Sequence, residues 1–415
     1  MNIILVGIGS YGDIYPLLGI GTALKKKGHS VTLLASGYFE KTVKQAGIGF
    51  FSIGSAEVYI TMIGKTGDPD MRKAACDYLY LRPMKPVYDY CASHYTRGDT
   101  MVVCNISSLG ARLAHEKLGM PMVSVNLAPM MFISAYDPPL FSIKPYPRWV
   151  PRWIYRLAFT AGLAVFDRDI CPQFNKFRKE IGLPPQRQVL RWMMSPQKII
   201  GLFPEWFAAP RPDWPTQAEL TGFPLFEEGD TRDNGLPDDL EEFLANGDAP
   251  IIVTPGTTNF KYAAFFKKTI EATARLGVRA VFVSRYKDQM PADLRSNIRF
   301  YEYLPFSRVL HRASVLIHHG GIGTMAEAFR AGIPQLIAPW GIDQFDNGNR
   351  VKSLGLGDII SSKSGTVKLL TEKLANLLYN PEIRKRCGEV AGKIKSSHPL
   401  EDICRIIEKV GKDNN

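Results

Sequence analysis

The chain opens on a short apolar run, Asn2–Val6, closed by Gly7 and Gly9, which reads as a buried strand. Leu17, Leu18, Ile20, Ala23 and Leu24 then fall at helical spacing, and lysines followed by Gly28 mark the stop. Ser30–Ala35 is a second apolar run. Strand, helix and strand in this order predict a βαβ unit. Residues 101–104 and 122–125 repeat the strand pattern, each after a helical stretch.

The second half follows the same logic. Strands are predicted at Ile251–Thr254, 280–284, Val315–His318 and 335–338, and a helix over 262–276 ended by Gly277. Residues 222–237 between the halves are rich in turn-forming and acidic types. The expected division is a first domain over 1–222, a linker over 223–240 and a second domain over 241–385. A C-terminal helix over 386–415 is expected to return to the first domain. The fold class is α/β: two doubly wound domains, each a parallel sheet with helices on both faces, facing across a cleft. In such sheets ligands sit at the carboxyl ends of the strands.

Composition narrows the picture. With 415 residues, 45% hydrophobic and 22% charged, the chain reads as globular and ordered. No apolar run reaches the ~20 residues that span a bilayer. Six cysteines include no CxxC pair, and the N-terminus lacks a basic signal region, so a cytoplasmic protein with reduced thiols is expected. The net charge of +11 is scattered, which implies a solvated basic surface and no nucleic-acid partner. Residues 145–166 differ: Tyr146, Arg148, Trp149, Arg152, Trp153, Tyr155 and Arg156 precede an apolar segment. That mixture suits peripheral contact with the inner face of a membrane, a lipophilic acceptor pocket, or an ordinary buried helix with a polar rim.

Three loops carry candidate chemistry. Gly7, Gly9 and Gly12 spell GxGxxG after the first strand, but a dinucleotide site also wants an acid at the end of the second strand, and Leu34-Ala35-Ser36 stands there. Asp13 in this loop is positioned to take a proton from an acceptor hydroxyl, or to cap the helix, and Pro16 suits the helix start. The second loop is His318-His319-Gly320-Gly321-Ile322-Gly323-Thr324, with a helix beginning near Ile322. A helix N-terminus accepts a diphosphate; His319 and Thr324 add donors, and Glu327 one turn on suits ribose hydroxyls. Adjacent histidines on a strand point apart, which argues against a metal pair. The third loop, 339–347, holds Trp340, Asp343 and Gln344, the donors and acceptors that a sugar needs; its bland reading is a turn before a helix. Thr257 and Thr258 present hydroxyls after another strand, and Tyr303, Leu304 and Phe306 an apolar face for a base. Asp167-Arg168-Asp169 spells DxD, but in a helical stretch, and reads as a charged helix face.

With these residues in hand, the run 300–357 resembles the donor-binding signature of the UDP-glycosyltransferase family (glycosyltransferase family 1). Tyr303-Leu-Pro305, residues 319–324, Glu327, Gly332-Ile-Pro334 and Asp343-Gln344 carry it in order and spacing. Residues 9–16 are similar to the sterol, glycopeptide-antibiotic and rhamnolipid-type branches, and 196–206 with 220–224 look most like the bacterial rhamnolipid-type rhamnosyltransferases. The resemblance implies a GT-B fold and metal-free, inverting transfer of glucose or rhamnose from a UDP- or dTDP-sugar to a lipophilic acceptor, with no permanently bound cofactor. It implies Asp13 as general base. His319, Gly321, Gly323, Thr324, Thr257, Thr258 and Ser10 would hold the diphosphate, Glu327, Tyr303, Leu304 and Phe306 the ribose and base, and Asp343, Gln344 and Trp340 the sugar. The chain departs from many relatives: Asp13 replaces a histidine, Ile322-Gly-Thr324 an aromatic-Asn-Ser, and Tyr303 and Phe306 a tryptophan and a glutamine. A sugar-nucleotide epimerase of the same shape, an NAD-dependent oxidoreductase and a non-catalytic binder are the rival readings.

Overall fold

The computed structural model describes residues 1–64, 71–147, 149–226, 235–257, 262–291, 293–341 and 343–413. Two all-parallel sheets organise them. The first has strands β1 (Asn2–Val6), β2 (Ser30–Ala35), β3 (Gly49–Ser52), β4 (Thr100–Asn105), β5 (Met122–Asn126), β6 (Lys198–Gly201) and β7 (Ala218–Leu220), in the order β3-β2-β1-β4-β5-β6-β7. The second has β8 (Ile251–Thr254), β9 (Ala280–Val283), β10 (Ile298–Tyr301), β11 (Val315–His318), β12 (Gln335–Ile337) and β13 (Gly357–Ile359), in the order β10-β9-β8-β11-β12-β13. Both are doubly wound. Strand order reverses between β1 and β4 in one and between β8 and β11 in the other, and these switch points are where such sheets open a ligand crevice.

The central strands are buried on both faces. β4 and β5 have no exposed residue, nor do β8, β9 and β11. Each therefore reads as a continuous apolar run, as parallel strands covered by helices must.

Internal contacts divide the chain into two units. One comprises Met1–Pro138, Arg148–Phe226 and His398–Asn415; the other Pro139–Pro147 and Glu227–Ser397. The excursion of 139–147 has a local cause. Leu140 donates its N–H to Asp346 Oδ1 at 3.2 Å, and Asn349 Nδ2 donates to the Ser142 carbonyl at 3.0 Å, tying the segment to the helix Gln344–Ser353. Residues 381–413 form two helices, Pro381–Lys395 and Pro399–Asp413, and only the second joins the first unit. Its Ile403, Ile406 and Ile407 enter the core that also holds Leu17, Leu18 and Leu24, and Glu408 pairs with Lys27 at 3.1 Å and His29 at 3.0 Å. Each such isoleucine contributes roughly 1.5–3 kcal/mol by burial. Residues 227–234 of the expected linker, with Arg148 and Thr258, lie outside the described residues.

Two local expectations are corrected. The first helix runs Tyr11–Lys26 with Ser10 as its N-cap, so Pro16 sits inside it rather than opening it. Nor are residues 152–166 a buried helix: most of them are exposed.

Candidate active site

In the first unit, the loop after β1 is shaped around Asp13. Its Oδ2 accepts the Ser10 N–H at 2.7 Å and the Ser10 hydroxyl at 3.3 Å. A Cβ at Gly9 would stand 2.2 Å from that oxygen, so glycine there lets the carboxylate close on the backbone. Asn105, at the end of β4, fixes the same loop: its Nδ2 donates to the Ile8 carbonyl at 2.6 Å, and its Oδ1 accepts the Ile8 N–H at 3.4 Å. Burial raises the Asp13 carboxyl to about 6, with bonds from Ser10 and Asn105 opposing the shift. Asp13 thus caps the helix and is also a carboxylate poised near neutrality at a switch point.

Two consequences bear on the expectations. Both Ser10 donors are turned to Asp13, so in this structure they hold the carboxylate. The glycine loop likewise serves a negative group of the chain itself, which is not the environment of a pyrophosphate.

Aromatic rings gather beside Asp13. Tyr11 meets Tyr15, Tyr38 and Phe39 edge-on at 5.1–5.9 Å, and Tyr38 lies 4.5 Å from Tyr59. Burial, followed by the charges of neighbouring groups that include Asp13, lifts the Tyr59 and Tyr78 phenols well above their ordinary value. Sequence reasoning missed this cluster and Asn105, because their contacts join residues far apart in the chain.

In the second unit, three loops converge at the β8–β11 switch point. His318 ends β11 fully buried. Its Nε2–H donates to Gln335 Oε1 at 2.9 Å and its Nδ1 accepts the Gly320 N–H at 3.2 Å, which sets one neutral tautomer. Burial holds it down to about 3. It is a structural histidine. His319 points elsewhere, its ring plane at 89° to that of His318. That ring is wedged between two glycines: a Cβ at Gly256 would meet it at 2.4 Å, and one at Gly321 would also stand 2.4 Å from its Nε2. Gly256 and Gly320 have φ of +80° and +98°, which side-chain-bearing residues avoid. Burial lowers His319 to about 4, and its Nδ1 has no hydrogen-bond partner among the described residues.

The helix Ile322–Ala331 starts directly after this turn, with Gly321 as N-cap and no side chain capping it. Its first N–H groups belong to Ile322, Gly323 and Thr324. A Cβ at Gly323 would meet nothing within 4 Å. Thr257 is exposed on the neighbouring loop, where its carbonyl accepts from the Tyr286 hydroxyl at 3.4 Å.

The third loop is stitched to the same turn. Asn347 Nδ2 donates to the Gly320 carbonyl and to Asp343 Oδ2, both at 2.9 Å. Gln344 Oε1 accepts the N–H groups of Trp340 at 2.8 Å and Gly341 at 3.3 Å, so only its amide NH2 remains for a ligand. Trp340 lies 5.5 Å from the Tyr262 ring. Glu327 is nearly buried and pairs with Arg330. Tyr303 is 51% exposed and offers a ring face, whereas Leu304 is 3% exposed and packs with Leu316 and Ala328. Leu304 thus holds a core position, with Phe306 partly buried against the same cluster.

The DxD pair is not a solvated face. Asp167 is 7% exposed and accepts the Leu190 N–H at 3.1 Å, and Asp169 pairs with Arg72 at 2.6 Å. Among the described residues, no group of three or more His, Cys, Asp or Glu gathers to hold a metal, all six cysteines are free, and no helix is long and apolar enough to cross a membrane.

Two parallel-sheet Rossmann-like domains, each with a loop cluster at its switch point, define the class of GT-B glycosyltransferases. Comparison with known proteins agrees. Residues 3–136 match the model of the glycosyltransferase family 28 N-terminal domain, and residues 269–409 that of the erythromycin biosynthesis protein CIII-like C-terminal domain. A sterol 3-beta-glucosyltransferase of Candida albicans is 25% identical over 96% of this chain, and the chain spans 27% of that protein's length. An O-mycaminosyltylonolide 6-deoxyallosyltransferase of Streptomyces fradiae is 26% identical over 99% of this chain and 97% of its own. Among solved structures, the kitacinnamycin glycotransferase superposes with a TM-score of 0.76 at 18% identity, covering 99% of this chain and 98% of the other. The two family models and these relatives together support a UDP-glycosyltransferase of glycosyltransferase family 1. These glycosyltransferase matches disfavour the epimerase reading.

Proposed function

We propose that this protein transfers a hexose, glucose or rhamnose, from a UDP- or dTDP-sugar to a hydroxyl of a lipophilic small-molecule or lipid acceptor, with inversion. The observation that carries the reading is the turn after β11. It sets a neutral imidazole nitrogen, without a hydrogen-bond partner among the described residues, on a glycine floor beside an uncapped helix N-terminus. Such a cradle suits a diphosphate.

In this mechanism Asp13 removes the proton of the acceptor hydroxyl as its oxygen attacks the anomeric carbon, and the bond from that carbon to the diphosphate oxygen breaks. Ser10 and Asn105 orient the carboxylate. The leaving diphosphate gains negative charge, which His319 and the N–H groups of Ile322, Gly323 and Thr324 stabilise. Thr257 and Thr258 add hydroxyls to the same group. Asp343, the Gln344 amide and Trp340 hold the sugar; Glu327 takes the ribose hydroxyls, and Tyr303 with Phe306 the base. The tyrosine cluster beside Asp13 supplies an apolar wall with polar edges for the acceptor. No metal is assigned a role.

Thermal unfolding with UDP, dTDP and NADH added separately tests the reading. A ligand that binds only the folded chain stabilises it by about 2.7 kcal/mol at a hundredfold excess over Kd. A rise in melting temperature with UDP or dTDP, and none with NADH, is expected. A rise with NADH alone would return the opening glycines to a dinucleotide role.

Gly323→Ala separates stability from binding. The site of its Cβ is open, and alanine in a helix is worth up to about 1 kcal/mol over glycine. The variant is expected to melt higher, while its methyl crowds the diphosphate and weakens UDP or dTDP binding at least tenfold. Titration calorimetry with unchanged affinity would remove Gly323 from the donor site.

A further inference from the structure

Among the described residues, the first half of the helix Arg152–Glu180 is barely covered by the unit that carries it. From 152 to 166 only Tyr155, Phe159 and Leu163, four residues apart, turn partly inward; firm burial begins at Asp167 and Ile170. Around that stripe the side chains are large, apolar and open to solvent. Trp153 is 64% exposed, Leu157 62% and Val165 41%, and Trp149, just ahead of the helix, is 79% exposed. A water-facing helix surface is ordinarily polar. Here 149–166 holds two charged residues, Arg152 and Arg156, and no acid.

A second observation adjoins the first. A groove of about 390 Å³ lies along the same helix, lined by Thr160, Leu163 and Ala164, by Arg168, Arg187 and Arg191, and by one carboxylate, Asp167. Among the described residues none of these three arginines makes an ion pair; Arg191 donates to the Thr160 hydroxyl at 3.1 Å. Asp169 pairs with Arg72, and Asp167, which accepts the Leu190 N–H, is one carboxylate against three arginines in the groove. Apolar surface is thus combined with an excess of cations, none of them ion-paired among the described residues.

We propose that this face docks on an anionic bilayer surface. Trp149, Trp153, Leu157 and Val165 enter the boundary between headgroups and acyl chains, where tryptophan rings are favoured. Arg152, Arg156 and the arginines of the groove meet lipid phosphates. The occupant is a membrane rather than an apolar protein face because unneutralised cations flank the apolar stripe, and burying them against a second copy of the same surface would set like charges together. The inference concerns binding alone and stands whether or not the transferase reading does.

The test uses the full chain with vesicles of phosphatidylcholine alone and of phosphatidylcholine with phosphatidylglycerol in equal parts. Co-sedimentation with the anionic vesicles is expected, weakening as salt rises, together with a blue shift of tryptophan fluorescence. Arg152→Gln with Arg156→Gln should weaken binding about fivefold per arginine. Trp153→Ser with Leu157→Ser should weaken it at least tenfold. The Trp153, Leu157 pair should melt like the unchanged protein, since both positions are exposed; Arg152 also lies 4.2 Å over the Tyr136 ring, so the arginine pair is compared at equal folded fraction. Equal sedimentation of wild type and variants would overturn the proposal. So would a dimer in light scattering that the Trp153→Ser, Leu157→Ser variant dissociates, with no vesicle binding by the parent: the face would then join two copies of this chain.

Discussion

Replacing Asp13 with asparagine is expected to lower kcat by about 10²–10⁴-fold, the usual worth of a positioned general base. Affinity for UDP or dTDP should stay within twofold, because the Asp13 contacts described here lie within the first unit and the diphosphate is assigned to the second. In the unchanged protein the base works only when ionised. With its carboxyl at about 6, kcat/KM should fall below that pH with unit slope. The same shift makes a stability prediction of opposite sense. A carboxyl raised on folding favours the protonated folded state, so its contribution is fully present below about pH 4 and is lost as pH rises through 6. At pH 7–8 ionised Asp13 is therefore a net cost of about 3 kcal/mol. Asparagine is neutral and still accepts the Ser10 N–H, so the variant should melt higher at pH 8 and like the parent near pH 4. A variant that turns over at the parental rate would end the assignment of Asp13 as base, whatever its melting temperature.

That trade of stability for chemistry also explains what was legible in the sequence. Buried parallel strands announce themselves as continuous apolar runs, so β1, β2, β4, β5, β8, β9, β11 and β12 were readable within a residue or two. β3 (Gly-Phe-Phe-Ser), β7 (Ala-Glu-Leu) and β13 (Gly-Asp-Ile) lie near or at sheet edges, are three or four residues long and carry no such run. Their pairing comes from their neighbours. Glycines flanking His319 were visible as a turn, yet their purpose was not, since Gly256 meets the ring from a loop 63 positions earlier in the chain. Asn105 and the tyrosines around Asp13 were hidden for the same reason. Residues 152–166 were legible as unusual, and three meanings stayed open; exposure decides against the buried helix because a side chain's surroundings are not written in its own periodicity.

The seat of His319 yields the second large effect. His319→Ala removes the donor assigned to the leaving diphosphate and should lower kcat by about 10²–10³-fold, the range for losing one such group. Affinity for UDP or dTDP should fall with it. Folding should suffer little, because the ring is a part-buried neutral imidazole whose Nδ1 has no hydrogen-bond partner among the described residues. Gly256→Ala is the complementary change. Its new Cβ would lie 2.4 Å from the ring at a φ of +80°, so it carries both a clash and backbone strain. The double variant keeps the strain and loses the clash. Thermal or denaturant unfolding of the four proteins should therefore show a coupling of about 0.5–3 kcal/mol, with Gly256→Ala milder once His319 is gone. Additive effects would mean that the ring does not rest on Gly256, and the diphosphate cradle built on that contact would fall with it. Strong coupling with unaltered UDP and dTDP affinity in His319→Ala would keep the geometry and remove the imidazole from donor binding.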